Sequence, residues 1–135
     1  MYNCIIERMT NMKIKVLSTR EIQIMNILWS SDKPLSANQI AEVCDDMSVF
    51  SVQQVLQRLL KNEIIKVAEI GYSNTVLTRF YVSVLTQAEY VQFLLGDSNL
   101  NLYKITSFFI ENNTDKNTLQ DLKKQIVERQ KKLGE

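Results

Sequence analysis

The most constraining stretch of this chain is residues 48–62. Val52, Val55, Leu56, Leu59 and Leu60 recur there at i, i+3, i+4, i+7 and i+8, the period of a helix with one buried stripe. At 100° per residue the opposite face carries Phe50, Gln54, Gln57, Arg58 and Lys61, with Ser51 and Gln53 on its flanks. Ser48 is placed to cap the first turn. Glutamine pairs bidentately with adenine, arginine with guanine, and an apolar side chain such as Phe50 meets a thymine methyl. The same pattern would also serve an ordinary amphipathic helix with a solvated face, so the flanking elements decide between the two.

Upstream, Ser18 with Glu21 forms a capping box, and Leu17 is spaced for a hydrophobic staple with Ile22. The inner stripe of this first helix is Ile22, Met25, Leu28 and Trp29, helped by Ile24 and Ile27. Residues 30–34, with Pro34, break it. Leu35 suits a strand of one or two residues. Ser36 with Gln39 is a second capping box, opening a short helix that runs to about Asp45 and buries Ile40, Ala41, Val43 and Cys44. Two helices a few residues apart make a helix-turn-helix, with residues 49–62 as the reader. The start of the short helix, with Ser36 and Asn38, suits a phosphate of the DNA backbone.

Downstream, Ile65, Val67 and Ile70 suit a strand facing the core, residues 71–75 carry turn chemistry, and residues 76–84 alternate. A β-hairpin after a helix-turn-helix is a wing, with Asn74 and Arg79 as modest phosphate contacts. The expected fold class is mainly α with a small β-hairpin (α+β), a winged helix followed by a helical region. Three segments result: a flexible N-terminal stretch over 1–16, a winged-helix DNA-binding domain over 17–85, and a helical dimerisation region over 86–135.

In that last region Thr86 and Glu89 form a third capping box, with Val91, Leu94 and Leu95 as the apolar side and Tyr90 and Phe93 adding bulk. Residues 100–111 are unusually apolar, including Leu100, Leu102, Ile105, Phe108, Phe109 and Ile110. Thr114 is expected to cap a final helix, in which Leu119, Leu122, Ile126 and Leu133 form a near-heptad seam. Adjacent Phe108 and Phe109 cannot both face one neighbour within the chain, and left exposed they form a patch too large for a monomer. A symmetric dimer clasped through Leu100, Ile105, Phe108, Phe109, Leu119, Leu122 and Ile126 resolves this. The alternative is that these helices fold back on the winged helix.

Composition narrows the chemistry. The 135 residues contain no histidine, which removes histidine acid–base catalysis, histidine-activated nucleophiles and most zinc sites. The two cysteines, Cys4 and Cys44, fit no metal spacing, and the three glycines form no phosphate loop. No enzyme, metal or cofactor is expected. No run of 18 apolar residues and no signal-peptide pattern occur, so no membrane insertion and a cytoplasmic location are expected. Met1, Met9 and Met12 are alternative starts. Net charge is only +1: residues 1–85 hold nine Lys/Arg and eight Asp/Glu, and residues 86–135 hold seven of each. A DNA-binding role must therefore rest on a small local patch, repeated in a dimer.

In its order of elements and its motifs the chain resembles the penicillinase-repressor and methicillin-resistance-repressor (BlaI/MecI) family. The matching residues are Leu17-Ser18, Glu21, Met25-Asn26-Ile27-Leu28-Trp29, Ser36-Ala37-Asn38-Gln39-Ile40, Val52, residues 56–65, and Phe80-Tyr81. The resemblance spans about residues 15–130. It implies a homodimeric repressor on a palindromic operator of double-stranded DNA. It also implies control by a membrane sensor-transducer and protease cleavage in the C-terminal region, by position at Ser107-Phe108. The family has an asparagine where this chain has Ser107. Its reader helix commonly starts Lys-Thr-Ile-x-Thr, where this chain has Phe50-Ser51-Val52-Gln53-Gln54, so the operator sequence does not carry over. The C-terminal cysteine cluster of a copper-responsive branch is absent.

Ser51, Gln53, Gln54, Gln57 and Arg58 are thus expected at or near the bases, with Phe50 beside them, and Ser36, Asn38, Lys61, Asn74 and Arg79 at phosphates. Two other readings compete. One is a winged-helix module that binds a protein partner through Phe50 and the glutamine face. The other is a repressor controlled by a small molecule held between the winged helix and the C-terminal helices.

Overall fold

Side-chain caps set where the helices begin. In the computed structural model, which describes residues 14–96 and 101–134, Ser18 opens α1 (Thr19–Ser30) with a reciprocal capping box. Its hydroxyl accepts the Glu21 N–H at 3.3 Å, and Glu21 Oε1 accepts the Ser18 N–H at 3.0 Å. Ser36 and Gln39 repeat the arrangement at α2 (Ala37–Val43), and Thr86 and Glu89 at α4 (Gln87–Leu95). Ser48 caps α3 (Val49–Lys61) by accepting the Ser51 N–H at 3.1 Å.

The end of α3 is less favourable. The Ile64 N–H reaches back to the Leu59 carbonyl at 3.1 Å, and the Glu63 N–H to that of Leu60 at 3.0 Å. This is a Schellman-type closure. It places Glu63 at φ 61°, a conformation that glycine usually supplies.

The hairpin consists of β1 (Ile65–Ser73) and β2 (Val76–Ser83), antiparallel and joined by Asn74 and Thr75. The turn is narrower than the five residues expected. Asn74 takes φ 59°, which asparagine tolerates. A bulge at Ala68, between Val67 and Glu69, shifts the register. The bulge leaves Ile70, opposite Arg79, on the same face as Val67, opposite Tyr81, but Ile70, expected to face the core, lies on the outer part of the wing and is exposed there. Leu35 makes the short bridge its position suggests. Its N–H donates to the Tyr81 carbonyl at 3.0 Å, and its carbonyl accepts the Tyr81 N–H at 2.7 Å.

The core of the first unit is built from Ile24, Met25 and Leu28 of α1, Ile40 of α2, Val52, Val55, Leu56 and Leu59 of α3, and Ile64, Ile65 and Leu85. Ile24 is fully buried and central rather than auxiliary, while Ile22, Ile27 and Trp29 lie at the margin. Val43, expected inside, is exposed because α2 stops there and Cys44 turns in instead. Ile14 packs against the core edge, so the segment just before Leu17 is anchored.

The first unit runs through Gly96, beyond the boundary at residues 85/86 that the pattern suggested. Tyr90 explains the difference. It is buried, its hydroxyl accepts the Leu17 N–H, and its ring lies 5.9 Å from Trp29 and 6.4 Å from Phe93. Tyr90 and Glu89 form the buried side of α4, while Val91 and Leu94, expected there, are exposed. Trp29 adds a further tie, its indole N–H donating to the Leu85 carbonyl at 2.7 Å and to Ser83 Oγ at 3.1 Å.

The second unit contains α5 (Leu102–Glu111) and α6 (Lys116–Gly134). Asn101 caps α5. At α6 it is Asp115, not Thr114, that takes the first-turn donors: its carboxylate accepts the Asn117 N–H at 3.1 Å and the Thr118 hydroxyl at 2.6 Å. Neither helix has a buried residue.

Candidate nucleic-acid interface

The angular order of α3 divides its polar residues into three groups. Phe50, Gln54, Gln57 and Lys61 lie directly opposite the buried stripe, Gln53 lies on one shoulder, and Ser51 and Arg58 on the other. All seven are exposed. The helix contains no carboxylate, and its two charges, Arg58 and Lys61, fall in its last turn. A chain with a net charge of +1 therefore concentrates +2 on this one element.

Each shoulder has a neighbour. Gln53 lines a groove with Ala37 and Asn38 of α2 and with Val76, Leu77, Thr78, Arg79 and Tyr81 of the wing. Asn38, Gln53 and Arg79 thus come together as one polar edge, although they lie far apart in sequence. Arg58 acts electrostatically on Glu21 of α1. Burial, the largest single influence, pushes the Glu21 carboxyl up, but hydrogen bonding with Ser18 and the charges of Lys15 and Arg58 together hold it below its usual range. Lys15 Nζ lies 3.7 Å from Glu21 Oε1, while Oε2 is buried without a hydrogen-bond partner.

Two of the expected phosphate contacts fit less well. Ser36 is 3% exposed, and its hydroxyl accepts the Gln39 N–H at 3.2 Å, so it is a helix cap and no longer a phosphate contact. Asn74 at the wing tip is exposed and lines a second groove with Asn38, Glu42, Met47, Ser48, Val49 and Ser73. Glu42 places a carboxylate there, which opposes an anion.

The turn before α3 is fixed by a clasp that spacing alone did not reveal. Arg20 Nη1 donates to the Asp46 carbonyl at 3.0 Å, and Gln23 Nε2 donates to Asp46 Oδ2 at 3.1 Å. The Gln23 bond, with help from Arg20, lowers the Asp46 carboxyl. Burial, with Asp46 nearby, raises the Cys44 thiol above its usual range, so it stays protonated as a small core group. The wing carries a second feature that spacing alone does not reveal. Tyr72 and Leu77 are exposed and paired across the strands, on the face that carries Arg79.

In the second unit Phe108 and Phe109 are both exposed and meet edge to face at 5.7 Å. Ile105, Leu119 and Leu122 are half-buried and Ile126 is exposed. Leu100 lies outside the described residues. Ser107 and Phe108 fall inside α5, so the bond between them is helical.

A helix-turn-helix followed by a two-stranded wing, with the outer face of its second helix unpacked, defines a winged-helix DNA-binding regulator. The penicillinase repressor family profile matches residues 17–129, and the chain belongs to that family. No curated protein matches the chain. Solved structures similar to it include S. aureus MepR in complex with DNA, at 10% identity and a TM-score of 0.48 over 98% of this chain and 90% of that one. Bacillus subtilis PadR in complex with operator DNA matches at 13% identity and a TM-score of 0.48, over 89% and 73%. Streptococcus pyogenes PerR matches at 21% identity and a TM-score of 0.40, over 61% and 56%, so this chain spans just over half of the PerR chain. No helix among the described residues is long and apolar enough to cross a membrane.

Proposed function

We propose that this protein is a homodimeric repressor that binds a palindromic operator by placing α3 of each copy in the major groove. The observation that carries this reading is the outward face of α3, which is exposed, free of carboxylates and lined by glutamines. Gln54 and Gln57 read bases from its centre, Ser51, Gln53 and Arg58 from its shoulders, and Lys61, Asn38 and Arg79 position the backbone. With so few cations the salt dependence is shallow, equivalent to about three to six phosphates per dimer.

Dimerisation through α5 and α6 is supported by their lack of any buried residue alongside exposed Phe108, Phe109 and Ile126. Two isolated helices with this surface are marginal in water. A second copy covers the groove lined by Phe109, Ile110, Leu122 and Ile126. Release of repression by cleavage at Ser107-Phe108 requires α5 to unwind first, because a helical bond does not enter a protease cleft.

Footprinting on the DNA upstream of the gene, with sedimentation of the same preparation, tests the proposal. The expected result is a protected palindrome and a particle of two chains, with Ile126→Asp sedimenting as one chain and losing most operator affinity. A wild-type protein that sediments as one chain, or that protects nothing, contradicts it.

A further inference from the structure

Phe50 is the one large apolar side chain on the outward face of α3, and the residue is 69% exposed. It takes no part in the core. Leaving a phenylalanine in water forfeits the stabilisation its burial would bring, and folding does not explain why it stands there. It is the second residue of the helix, in the first turn, the part of a reader helix that meets base edges.

Phe50, Gln54 and Gln57 form a single row, at i, i+4 and i+7, within an arc of about 60°. Along the helix axis Gln54 lies about 6 Å and Gln57 about 10 Å from Phe50. Of the groups the four bases display in the major groove, the thymine C5-methyl is the apolar one. Glutamine matches the N6 and N7 of adenine, and the row has no carboxylate to accept from cytosine N4. Its chemistry is therefore that of thymine and adenine.

We propose that Phe50 is a specificity-determining residue that packs on the C5-methyl of a thymine in each operator half-site, with adenines read by Gln54 and Gln57 further along the same half-site. This rests on the DNA-binding reading above and names what its central face recognises.

Replacing operator thymines one at a time by deoxyuridine removes the methyl and keeps the base pair. With the wild-type chain, deoxyuridine at one position per half-site should weaken binding about three- to ten-fold, the value of one buried methyl-sized group. Phe50→Ala should bind the unmodified operator more weakly by at least that factor and be indifferent to deoxyuridine at that position. Phe50→Leu, which keeps an apolar contact, should recover part of the loss and of the methyl sensitivity. Because the ring is exposed, all three chains should share one melting temperature. If no deoxyuridine affects wild-type binding, or if Phe50→Ala keeps the same methyl sensitivity, the assignment is overturned while the DNA-binding reading stands. A wild-type chain that binds no DNA overturns both.

Discussion

The hydroxyl of Tyr90 accepts the backbone N–H of Leu17 at 2.9 Å, joining the residue before the cap of α1 to the middle of α4 across 73 positions of sequence. The donor is buried, so nothing else satisfies it if the hydroxyl is removed. Tyr90→Phe keeps the ring against Trp29 and Phe93 and removes only that acceptor. We expect a loss of about 1–3 kcal/mol, read from the urea midpoint of the first unit's transition with an unchanged slope. An unchanged midpoint would show that this bond does not tie α4 to the winged helix.

Ser36→Ala separates a cap from a phosphate contact. Losing the Ser36 hydroxyl opens the capping box of α2 and should cost about 0.5–2 kcal/mol of stability. Operator affinity, measured well below the melting temperature, should change less than two-fold. A large loss of affinity with unchanged stability would restore Ser36 to the DNA.

Much of this was legible in the chain itself, because capping boxes are local. Ser18/Glu21, Ser36/Gln39 and Thr86/Glu89 each fix a helix start with a few adjacent side chains, and all three form as spaced. The stripe of α3 was equally plain, since its five apolar positions keep one period. Non-local choices were harder to see. Ile70 falls out of the alternation set by Ile65 and Val67, and only the bulge at Ala68 returns it to their face, on an outer part of the wing where it is exposed. Spacing gives Tyr90 only a supporting place beside Val91 and Leu94, yet Tyr90 is the one buried, because it has a distant N–H to satisfy as well as a ring to bury. The joining of Asn38, Gln53 and Arg79 depends on how the wing folds over α2, which no spacing encodes.

Glu63 ends α3 in the left-handed region, which costs a residue with a side chain about 1–2 kcal/mol. Glycine removes that cost but gains about 0.5–1 kcal/mol of unfolded-chain freedom. Glu63→Gly should therefore raise stability by about 0.5–1 kcal/mol, seen as a higher denaturation midpoint. A lower midpoint would mean that the Glu63 side chain itself supports the turn into β1.

Glu21 should give the stability a pH signature. Its carboxyl is depressed in the folded chain, so the stabilisation is present above the unfolded carboxylate range, near about pH 4.3, and is lost as pH falls through the folded value. Wild type should exceed Glu21→Gln in stability at pH 7, and the difference should shrink as the pH falls below 4. Denaturant midpoints of both chains across that range measure it. A difference that is constant with pH would remove Glu21 as the source.

The central claim is that the outward row of α3 reads DNA. A titration of the footprinted operator with wild type and Gln54→Ala at one salt concentration tests it most directly. A lost bidentate pair is worth about 1–3 kcal/mol, so Gln54→Ala should bind about ten-fold or more weakly. Gln54 is exposed, so the variant should melt with the wild type. Equal affinity for the two chains would contradict the account.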